Sequence, residues 1–298
     1  MKSVSEIQKS IKVINSEFKL SDFCTQITER FHSHTVLKKK LECDIKEISK
    51  LQNKLYAEDR QSLLIIFQGM DSAGKDGTIK HIMKGVNPQG VQVTSFKHPS
   101  AHELEHDYLW RHTIKLPEHG QIVIFNRSHY ENVLISKVHP QLILAERLKD
   151  YNKLSKIDNE FWELRYNQIN HFEQRNIEMG TQILKFFLHL SKEEQARRFL
   201  DRIGKQSKHW KFSSSDIEER KYWTSYQDAY EQAIIHTSTK AAPWFIVPAD
   251  DKIAAYTLIG RIILEKLIEM KPVYPPKTKK EQKYMQNAKG NLEKELHQ

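Results

Sequence analysis

The segment SLLIIFQGMDSAGKDGTIKHIMKGV, residues 62–86, decides the fold of this chain of 298 residues. An apolar run, residues 62–67, leads into a glycine turn, and a helical pattern follows the turn. Gly69, Gly74 and Lys75 match the pattern G-x-x-x-x-G-K, in which glycines let backbone N–H groups converge on an anion at a helix N-terminus. A strand, a glycine loop and a helix in this order predict a phosphate-binding loop.

The position after the lysine is unusual for such a loop. Nucleotide-hydrolysing loops carry a Ser or Thr there, whose hydroxyl binds Mg²⁺, whereas this chain has Asp76. Asp71 places a second carboxylate on the same loop. Mg²⁺ prefers hard oxygen ligands, so both are candidate metal ligands, and Asp71, which precedes the glycine turn, is the better one. Asp76 is equally explained as an acid in the first helical turn, where the helix dipole favours negative charge.

Four further apolar runs follow along the chain. They are VQVTSF at 91–96, QIVIF at 121–125, QILKFFLHL at 182–190 and PWFIVP at 243–248. Each is nearly continuous in apolar residues, as strands are when helices cover both faces of a parallel sheet. The intervals have helix length, and SKEE at 191–194 predicts a capped helix start. We therefore predict a three-layer α/β fold with a five-stranded parallel sheet and helices on both faces.

Composition narrows the functional classes. The chain is 39% hydrophobic and 29% charged, which is ordinary for a globular protein. No uncharged run is long enough to cross a bilayer, and the first twenty residues lack a signal-peptide core, so we expect no membrane partner. Cys24 and Cys43 form neither a disulfide framework nor a zinc pattern. We therefore expect a cytoplasmic protein.

The positive charge is concentrated in two segments. Residues 197–211 contain six basic residues and one acid, a balance of +5. Residues 271–298 contain seven Lys and three Glu, a balance of +4, so the two segments account for the whole net charge of +9. This distribution indicates a polyanionic partner that binds to one internal segment, with or without a contribution from the tail.

The stretch QIVIFNRSHYENV, residues 121–133, is a second motif. It places Asn126 and Arg127 at the carboxyl end of a strand, the edge at which ligands bind in such sheets. Arg127 suits a clamp on the transferred phosphate, because a guanidinium binds phosphoryl oxygens in a bidentate manner; an arginine ion-paired at a strand end is the alternative. Lys97 and Arg111 are candidates for binding nucleotide phosphate, with surface solvation as the alternative.

Six blocks together resemble polyphosphate kinase family 2. They are GMDSAGKDGTIKHIMKGVNPQG, SFKHPS, HDYLWR, IVIFNRSHYENVL, KHWKFSSSDIEER and PWFIVPADDK, in the order in which the family carries them. The resemblance runs from about residue 51 to residue 271. Members of this family are P-loop kinases related in fold to thymidylate kinase. They move phosphate between inorganic polyphosphate and a nucleotide.

The resemblance implies a division of the chain and a reaction. Residues 1–60 would be an N-terminal helical extension, residues 61–270 the P-loop kinase domain with a lid at about 197–221, and residues 271–298 a basic polar tail. The reaction would be magnesium-dependent transfer (Mn²⁺ could replace Mg²⁺) between polyphosphate and AMP or ADP, giving ADP or ATP. The form NRSHYE resembles the branch that accepts AMP as well as ADP. Asn126 stands where many members carry Asp, so a base at this position is in doubt.

The resemblance also assigns roles to residues. Asp71, Lys75, Arg127 and Glu131 would be catalytic, with Asp71 and Glu131 holding the metal. Lys97, Arg111, Asn126 and Arg127 would bind the nucleotide. Polyphosphate would be bound by Ser72, Ala73, Gly74, Lys75, Asp76, Gly77, Arg198, Arg202, Lys205 and Lys208. The lid cations recur on one helical face, although such a run can also be a solvated surface.

Three alternatives remain. An ATP-dependent nucleoside monophosphate kinase would use the same loop. HELEH at 102–106 matches the zinc protease pattern H-E-x-x-H, with Glu131 as a third ligand. The basic segment with its aromatic residues could bind single-stranded nucleic acid, although no recognisable motif supports it and we expect no nucleic-acid partner. The amphipathic pattern over residues 34–60 favours a homo-oligomer, either a dimer or a tetramer. The alternative is a helix that packs on its own domain.

Overall fold

The structure is a computed structural model that describes residues 10–13, 19–27 and 33–297. Parts of the predicted N-terminal extension, residues 1–9, 14–18 and 28–32, lie outside the described residues. In the described part of the chain, no helix combines the length and the apolar character that crossing a membrane requires.

A parallel sheet of five strands forms the centre of the fold. The strands are β1 Ser62–Gln68, β2 Val91–Ser95, β3 Ile122–Asn126, β4 Thr181–His189 and β5 Trp244–Pro248. Their order in the sheet is β2-β3-β1-β4-β5, and all neighbours run parallel. The five predicted runs are therefore the five strands. Because β1 is central, the loop that follows it opens between the carboxyl ends of β3 and β4.

Helices cover both faces of the sheet, as predicted. In chain order they are α1 His34–Glu58, α2 Lys75–Ile82, α3 Ala101–Leu104, α4 Trp110–Thr113, α5 Ile135–Val138, α6 Gln141–Leu144, α7 Asn159–Glu178, α8 Lys192–Ile203, α9 Ser214–Glu219, α10 Trp223–Thr237, α11 Lys252–Met270 and α12 Lys279–Leu296. Alternate side chains of β1 enter two separate cores. Leu63 and Ile65 pack with α1, α2 and α11, whereas Leu64 and Ile66 pack with α7 and α10.

Helix α1 packs on α11 of its own chain. Its buried side chains include Leu37, Leu41, Ile48 and Leu55. A glycine permits the close approach, because a Cβ at Gly260 would lie 2.9 Å from Leu41 Cδ1. The apolar stripe of α1 is therefore used within the chain, which removes the sequence argument for an oligomer. The oligomeric state stays a prediction.

Three elements differ from the sequence analysis. Strand β2 is an edge strand with several exposed side chains, not a strand covered on both faces. The segment HELEHDYLWR, residues 102–111, has the pattern of one helix, but α3 ends at Leu104 and the Asp107 carboxylate accepts a hydrogen bond from the N–H of Leu109, 2.9 Å away. The tail contains a regular helix, α12, which Thr278 and Glu281 start with a capping box and which buries no residue.

A buried ion pair fixes the segment after β3 to the rest of the domain. Lys185 of β4 is fully buried, and its ammonium donates to Glu173 Oε2 at 2.6 Å, to the Tyr130 hydroxyl at 2.9 Å and to the Thr237 carbonyl at 2.7 Å. The Tyr130 hydroxyl donates to Glu173 Oε1 at 2.7 Å. All three ammonium protons are thus used, which a buried charge requires. The network joins β4, α7 and α10 to the 3₁₀ turn His129–Val133.

Replacing Lys185 by Met should lower the free energy of unfolding by about 3–5 kcal/mol, because Glu173 would remain as a buried charge without its partner. Chemical denaturation measures the loss. Lys50→Met is the matched control, because Lys50 forms an exposed ion pair with Glu47 at 2.7 Å, and it should cost less than about 1 kcal/mol. Equal losses in the two variants would contradict the proposed role of the buried network.

Candidate functional site

A cationic groove lies at the carboxyl edge of the sheet. Its volume is about 630 Å³. Its walls include Lys75 from the loop, Lys97 after β2, Arg127 after β3, and Arg202 and Lys208 from the predicted lid. The complete loop lines it as well: Asp71, Ser72, Ala73, Gly74, Lys75, Asp76 and Gly77. The fold therefore brings together most residues that the sequence placed in a phosphate site.

The loop between β1 and α2 has the backbone of an anion-binding turn. Gly69, Ser72 and Gly74 have φ of 155°, 65° and 106°, and α2 begins directly after Gly74. Positive φ is available to glycine without a steric penalty, which explains both glycines of the motif. The first N–H groups of α2 have no partner inside the helix, so they are available to an anion in the groove.

Side chains donate hydrogen bonds to the carbonyl groups of the loop. Lys75 Nζ donates to Gly69 O at 2.5 Å, and Gln195 Nε2 donates to Asp71 O at 2.8 Å. Arg198 Nη1 donates to Ser72 O at 3.0 Å and to Ala73 O at 2.9 Å. These bonds give the carbonyl groups of the loop the hydrogen-bond partners that buried backbone groups require.

Arg198 makes contacts that were not predicted from the sequence. It lines the groove, but it is buried, and its guanidinium also donates to Ala249 O at 2.5 Å, to Asp250 O at 3.2 Å and to Glu194 at 3.0 Å. The side chain thus ties the loop to α8 and to the segment between β5 and α11. We assign it to positioning the loop, with contact to phosphate as a secondary role.

Arg127 and the two predicted metal ligands meet beside the loop. Arg127 has φ 64°, and its Nη2 donates to Asp71 Oδ1 at 2.9 Å. Asp71, Arg127 and Glu131 line one cavity of about 240 Å³, which α10 closes through Tyr226 and Tyr230. The sequence allowed Arg127 to be either a phosphate ligand or one partner of an ion pair. The ion pair with Asp71 itself lines the groove, so the two interpretations are compatible.

Charges and burial shift the pKa values of this cluster. Burial lowers the pKa of Lys75, and neighbouring Arg127 adds to this, whereas Asp71, Glu131 and Asp76 oppose it. Burial raises the pKa of Glu131, while Arg127 and Lys75 act in the opposite direction. Opposite charges around the loop thus favour each other's charged form, whereas like charges disfavour it.

Asn126 explains how the loop accommodates Asp76. The Asn126 amide donates through Nδ2 to Asp76 Oδ1 at 2.8 Å, from the end of β3 to the first turn of α2. Asp76 is therefore held by a neutral donor in addition to the helix terminus. Asn126 lines the groove and not the smaller cavity described next, and its contact with the nucleotide stays a prediction.

A smaller cavity of about 200 Å³ adjoins the groove. Its walls are mainly apolar and include Phe96, Pro99, Leu104, Tyr108, Ile135 and Leu142. It shares Phe96, Lys97 and Arg127 with the groove, so one guanidinium faces both spaces. Arg111 lies in this cavity, where it donates to Lys97 O at 2.9 Å and stands 3.3 Å from Glu103. A planar, largely apolar ligand with a charged end toward Arg127 suits this shape.

The lid cations are paired with lid carboxylates. Arg202 Nη1 lies 3.1 Å from Asp216, and its Nη2 donates to Ser72 Oγ at 2.7 Å. Lys205 and Lys208 both pair with Asp201. Of the predicted polyphosphate ligands, Lys205 alone is not among the described residues that line the groove.

Several residues of the groove were not predicted from the sequence. Asp201 and Asp216 belong to the lid region, while Lys252 and Tyr256 come from the start of α11. The lid residues lie within the predicted segment or beside it, so its acids could have been examined together with its cations. Nothing in the sequence connects Lys252 or Tyr256 to the loop, because the fold alone brings α11 beside it.

The zinc protease pattern is not realised. His102 is in α3, but the helix ends at Leu104, so His106 does not follow it on one helical face. The Glu103 carboxylate accepts a hydrogen bond from the N–H of Ser100 at 2.7 Å and caps α3. Among the residues that the structure describes, no three His, Cys, Asp or Glu side chains converge as a metal site.

Comparison with known proteins identifies the family. The family model described as Polyphosphate kinase 2 matches residues 32–274. The chain belongs to the polyphosphate kinase 2 family.

Similar proteins agree with this family. An ADP-polyphosphate phosphotransferase of Rhodopseudomonas palustris is 48% identical over 261 residues, which cover 88% of each protein. An AMP/ADP-polyphosphate phosphotransferase of Meiothermus ruber is 43% identical over 237 residues, or 79% of this chain and 83% of that one. The crystal structure of polyphosphate kinase 2 from Arthrobacter aurescens superposes with a TM-score of 0.84 at 36% identity, covering 96% of this chain and 97% of that one. The predicted family and P-loop kinase fold are confirmed.

Replacing Arg198 by Lys should disorder the loop, because an ammonium cannot reach carbonyls of both the loop and the segment 249–250. We expect a loss of about 1–3 kcal/mol in unfolding free energy and weaker binding of tripolyphosphate. Thermal unfolding and calorimetric titration measure the two effects. Arg197→Lys is the control, since Arg197 is exposed and forms an exposed ion pair with Glu194 at 3.2 Å. Normal tripolyphosphate affinity in Arg198→Lys would contradict the positioning role.

Replacing Asn126 by Asp should make stability depend on pH. Two carboxylates at hydrogen-bonding distance cannot both ionise easily, so the pKa of one is raised in the folded state. A raised folded-state pKa means that stability present at low pH is lost as pH rises through it. We expect a deficit of about 1–3 kcal/mol relative to the wild type at pH 8 that shrinks at pH 5.

The control for this variant is Asn126→Ala, which removes the donor without adding charge. Its deficit should be the same at pH 5 and pH 8, as read from thermal unfolding. If Asn126→Asp shows the same flat profile, Asp76 does not face position 126 as described.

Proposed function

We propose that this chain transfers phosphate between inorganic polyphosphate and AMP or ADP, forming ADP or ATP. One observation carries the proposal: a cationic groove and a largely apolar cavity of about 200 Å³ meet at Arg127. Phosphoryl transfer requires two substrates whose reacting ends are aligned and whose charge is neutralised where they meet. The names of the relatives from Rhodopseudomonas palustris and Meiothermus ruber support polyphosphate as the donor and ADP, with AMP in one case, as the acceptor.

In this arrangement the loop binds the terminal phosphates of polyphosphate. The backbone N–H groups at the start of α2 and the Lys75 ammonium would bind their oxygens. The nucleotide would lie in the apolar cavity with its phosphate toward Lys97, Arg111 and Arg127. Arg127 faces both spaces, so it would contact the transferred phosphate whether that phosphate belongs to the polyphosphate or to the nucleotide. A guanidinium at this place stabilises the charge of the transition state. Closure of the lid would exclude water from the transfer.

We further propose that Mg²⁺, or Mn²⁺, takes part. Asp71, Asp76 and Glu131 are hard oxygen donors around one loop, and Asp71 shares a cavity with Glu131. In kinases such an ion is bound through one or two carboxylates together with substrate phosphates, so a complete protein cage is not required. The ion would supply neutralisation of phosphate charge. The exposed unpaired thiols of Cys24 and Cys43 suit the reducing cytoplasm that we propose as its location.

The decisive experiment incubates the protein with polyphosphate, Mg²⁺ and either ADP or AMP, without ATP. We expect ATP from ADP and ADP from AMP, and no product after addition of EDTA. If no product forms from polyphosphate although the protein phosphorylates AMP with ATP, the chain is an ATP-dependent nucleoside monophosphate kinase and the proposal is wrong.

Lys75→Ala and Arg127→Ala should each lower the rate of transfer by at least about 100-fold, because each removes a charge that faces the transferred phosphate. Arg261→Ala is the matched control, since Arg261 pairs with Asp44 at 2.6 Å on α11, away from the groove. Thermal unfolding verifies that the variants are folded. Near-normal turnover in either variant of the loop cluster would refute its assignment.

A further inference from the structure

The outer part of the groove carries its own anions. Asp201 of α8 lies between two lysines: Lys208 Nζ donates to Oδ2 at 2.7 Å, and Lys205 Nζ contacts Oδ1. Asp201 and Lys208 both line the groove. Hydrogen bonds from Lys205 and Lys208 lower the pKa of Asp201 to about 2, so the carboxylate is ionised throughout the physiological range. In the structure, a carboxylate therefore holds two cations that the sequence assigned to phosphate.

Asp201 lies beyond the residue that holds the phosphate-binding loop. It follows Arg198 by three residues, or about 4.5 Å along the axis of α8, and Lys205 and Lys208 come after the end of the helix at Ile203. Lys208 lines the same groove as the loop. Phosphates of a donor that extend beyond the loop therefore meet Asp201 and its lysines.

We propose that Asp201 determines the length of polyphosphate that the protein prefers as donor. The inference rests on the proposed function. The Asp201 carboxylate occupies Lys205 and Lys208 in the place of phosphates, and a donor gains their charge only by displacing it. In a long chain that is already bound at the loop, the outer phosphates compete with Asp201 at the high effective concentration of a tethered ligand. A short donor has too few phosphates to compete in this way, so it meets a groove whose outer cations are neutralised by Asp201.

The Asp201 ion pairs are of the kind that an anionic polymer can displace. The side chains of Asp201, Lys205 and Lys208 are 40%, 56% and 43% exposed. Exposed pairs of this kind contribute little to stability and exchange readily with ions in solution. Removing the carboxylate should therefore leave the fold unchanged and leave both lysines available to any phosphate that comes near.

The test compares Asp201→Asn with the wild type using tripolyphosphate and long-chain polyphosphate as donors. We expect the KM for tripolyphosphate to fall roughly fivefold, the equivalent of one exposed ion pair, and the KM for long chains to fall less than about twofold. Glu218→Gln is the matched control. Glu218 also pairs with a lysine, Lys221, and is comparably exposed, but it does not line the groove. It should leave both KM values unchanged.

Two kinetic outcomes would overturn the proposal. An equal change for both donors, matched by Glu218→Gln, would show a general effect of net charge. A higher KM for either donor in Asp201→Asn would show that Asp201 orders the lysines for phosphate and does not mask them.

A binding measurement keeps this test separate from the proposed function. Calorimetric titration with tripolyphosphate should give tighter binding by Asp201→Asn than by the wild type, even if neither transfers phosphate. If the wild type is inactive but Asp201→Asn binds tripolyphosphate more tightly, the proposed reaction is refuted, whereas the proposed competition of Asp201 with phosphate is supported. Equal affinities would refute the masking whatever the wild type catalyses.

Discussion

The site depends on how the carbonyl groups of one loop are bonded. For the N–H groups of residues after β1 to face an anion, the carbonyls of the same peptides must turn into the protein, where each needs a donor. Lys75, Gln195 and Arg198 supply those donors, two of them from α8. The helix at which the predicted lid begins is thus also the support of the loop. A change in the position of α8 would alter the direction of the loop amides, because hydrogen bonds join the helix to the loop.

Charge balance gives a physical reason for the unusual Asp76. Around the loop, three carboxylates face the cations of Lys75 and Arg127, and the neutral amide of Asn126 satisfies Asp76 without adding a further charge. An aspartate at position 126 would place two anions together and would need a proton or a cation between them. The pair Asn126–Asp76 is therefore a self-consistent unit. It also ties the end of β3 to the start of α2, two elements that carry opposite walls of the groove.

The sequence was sufficient for the framework because its signals are local. Continuous apolar runs mark strands covered on both faces, and the predicted strands agree with the observed ones to within one residue at each end. The break in the segment 102–111 was missed because it depends on a side-chain cap at Asp107 that competes with the helix. The sequence analysis described the predicted lid as a cationic surface, because it counted charges along the chain and not ion pairs in space. The pairing of Arg202 with Asp216 is a matter of tertiary structure. Lys252 and Tyr256 lie far from the loop in sequence, so no spacing rule could have found them.

The position of β1 in the sheet has a consequence for how the chain is made. This strand is almost wholly apolar, yet its two neighbours are β3, which begins at Ile122, and β4, which begins at Thr181. At translation rates of about 5–20 residues per second, several seconds separate the synthesis of β1 from that of its second neighbour. During that interval an aggregation-prone strand leaves the ribosome without its partners, and the long-range parallel pairing slows its protection further. Binding of a chaperone to the nascent chain would protect β1, which is both the first strand of the sheet to be made and the central one.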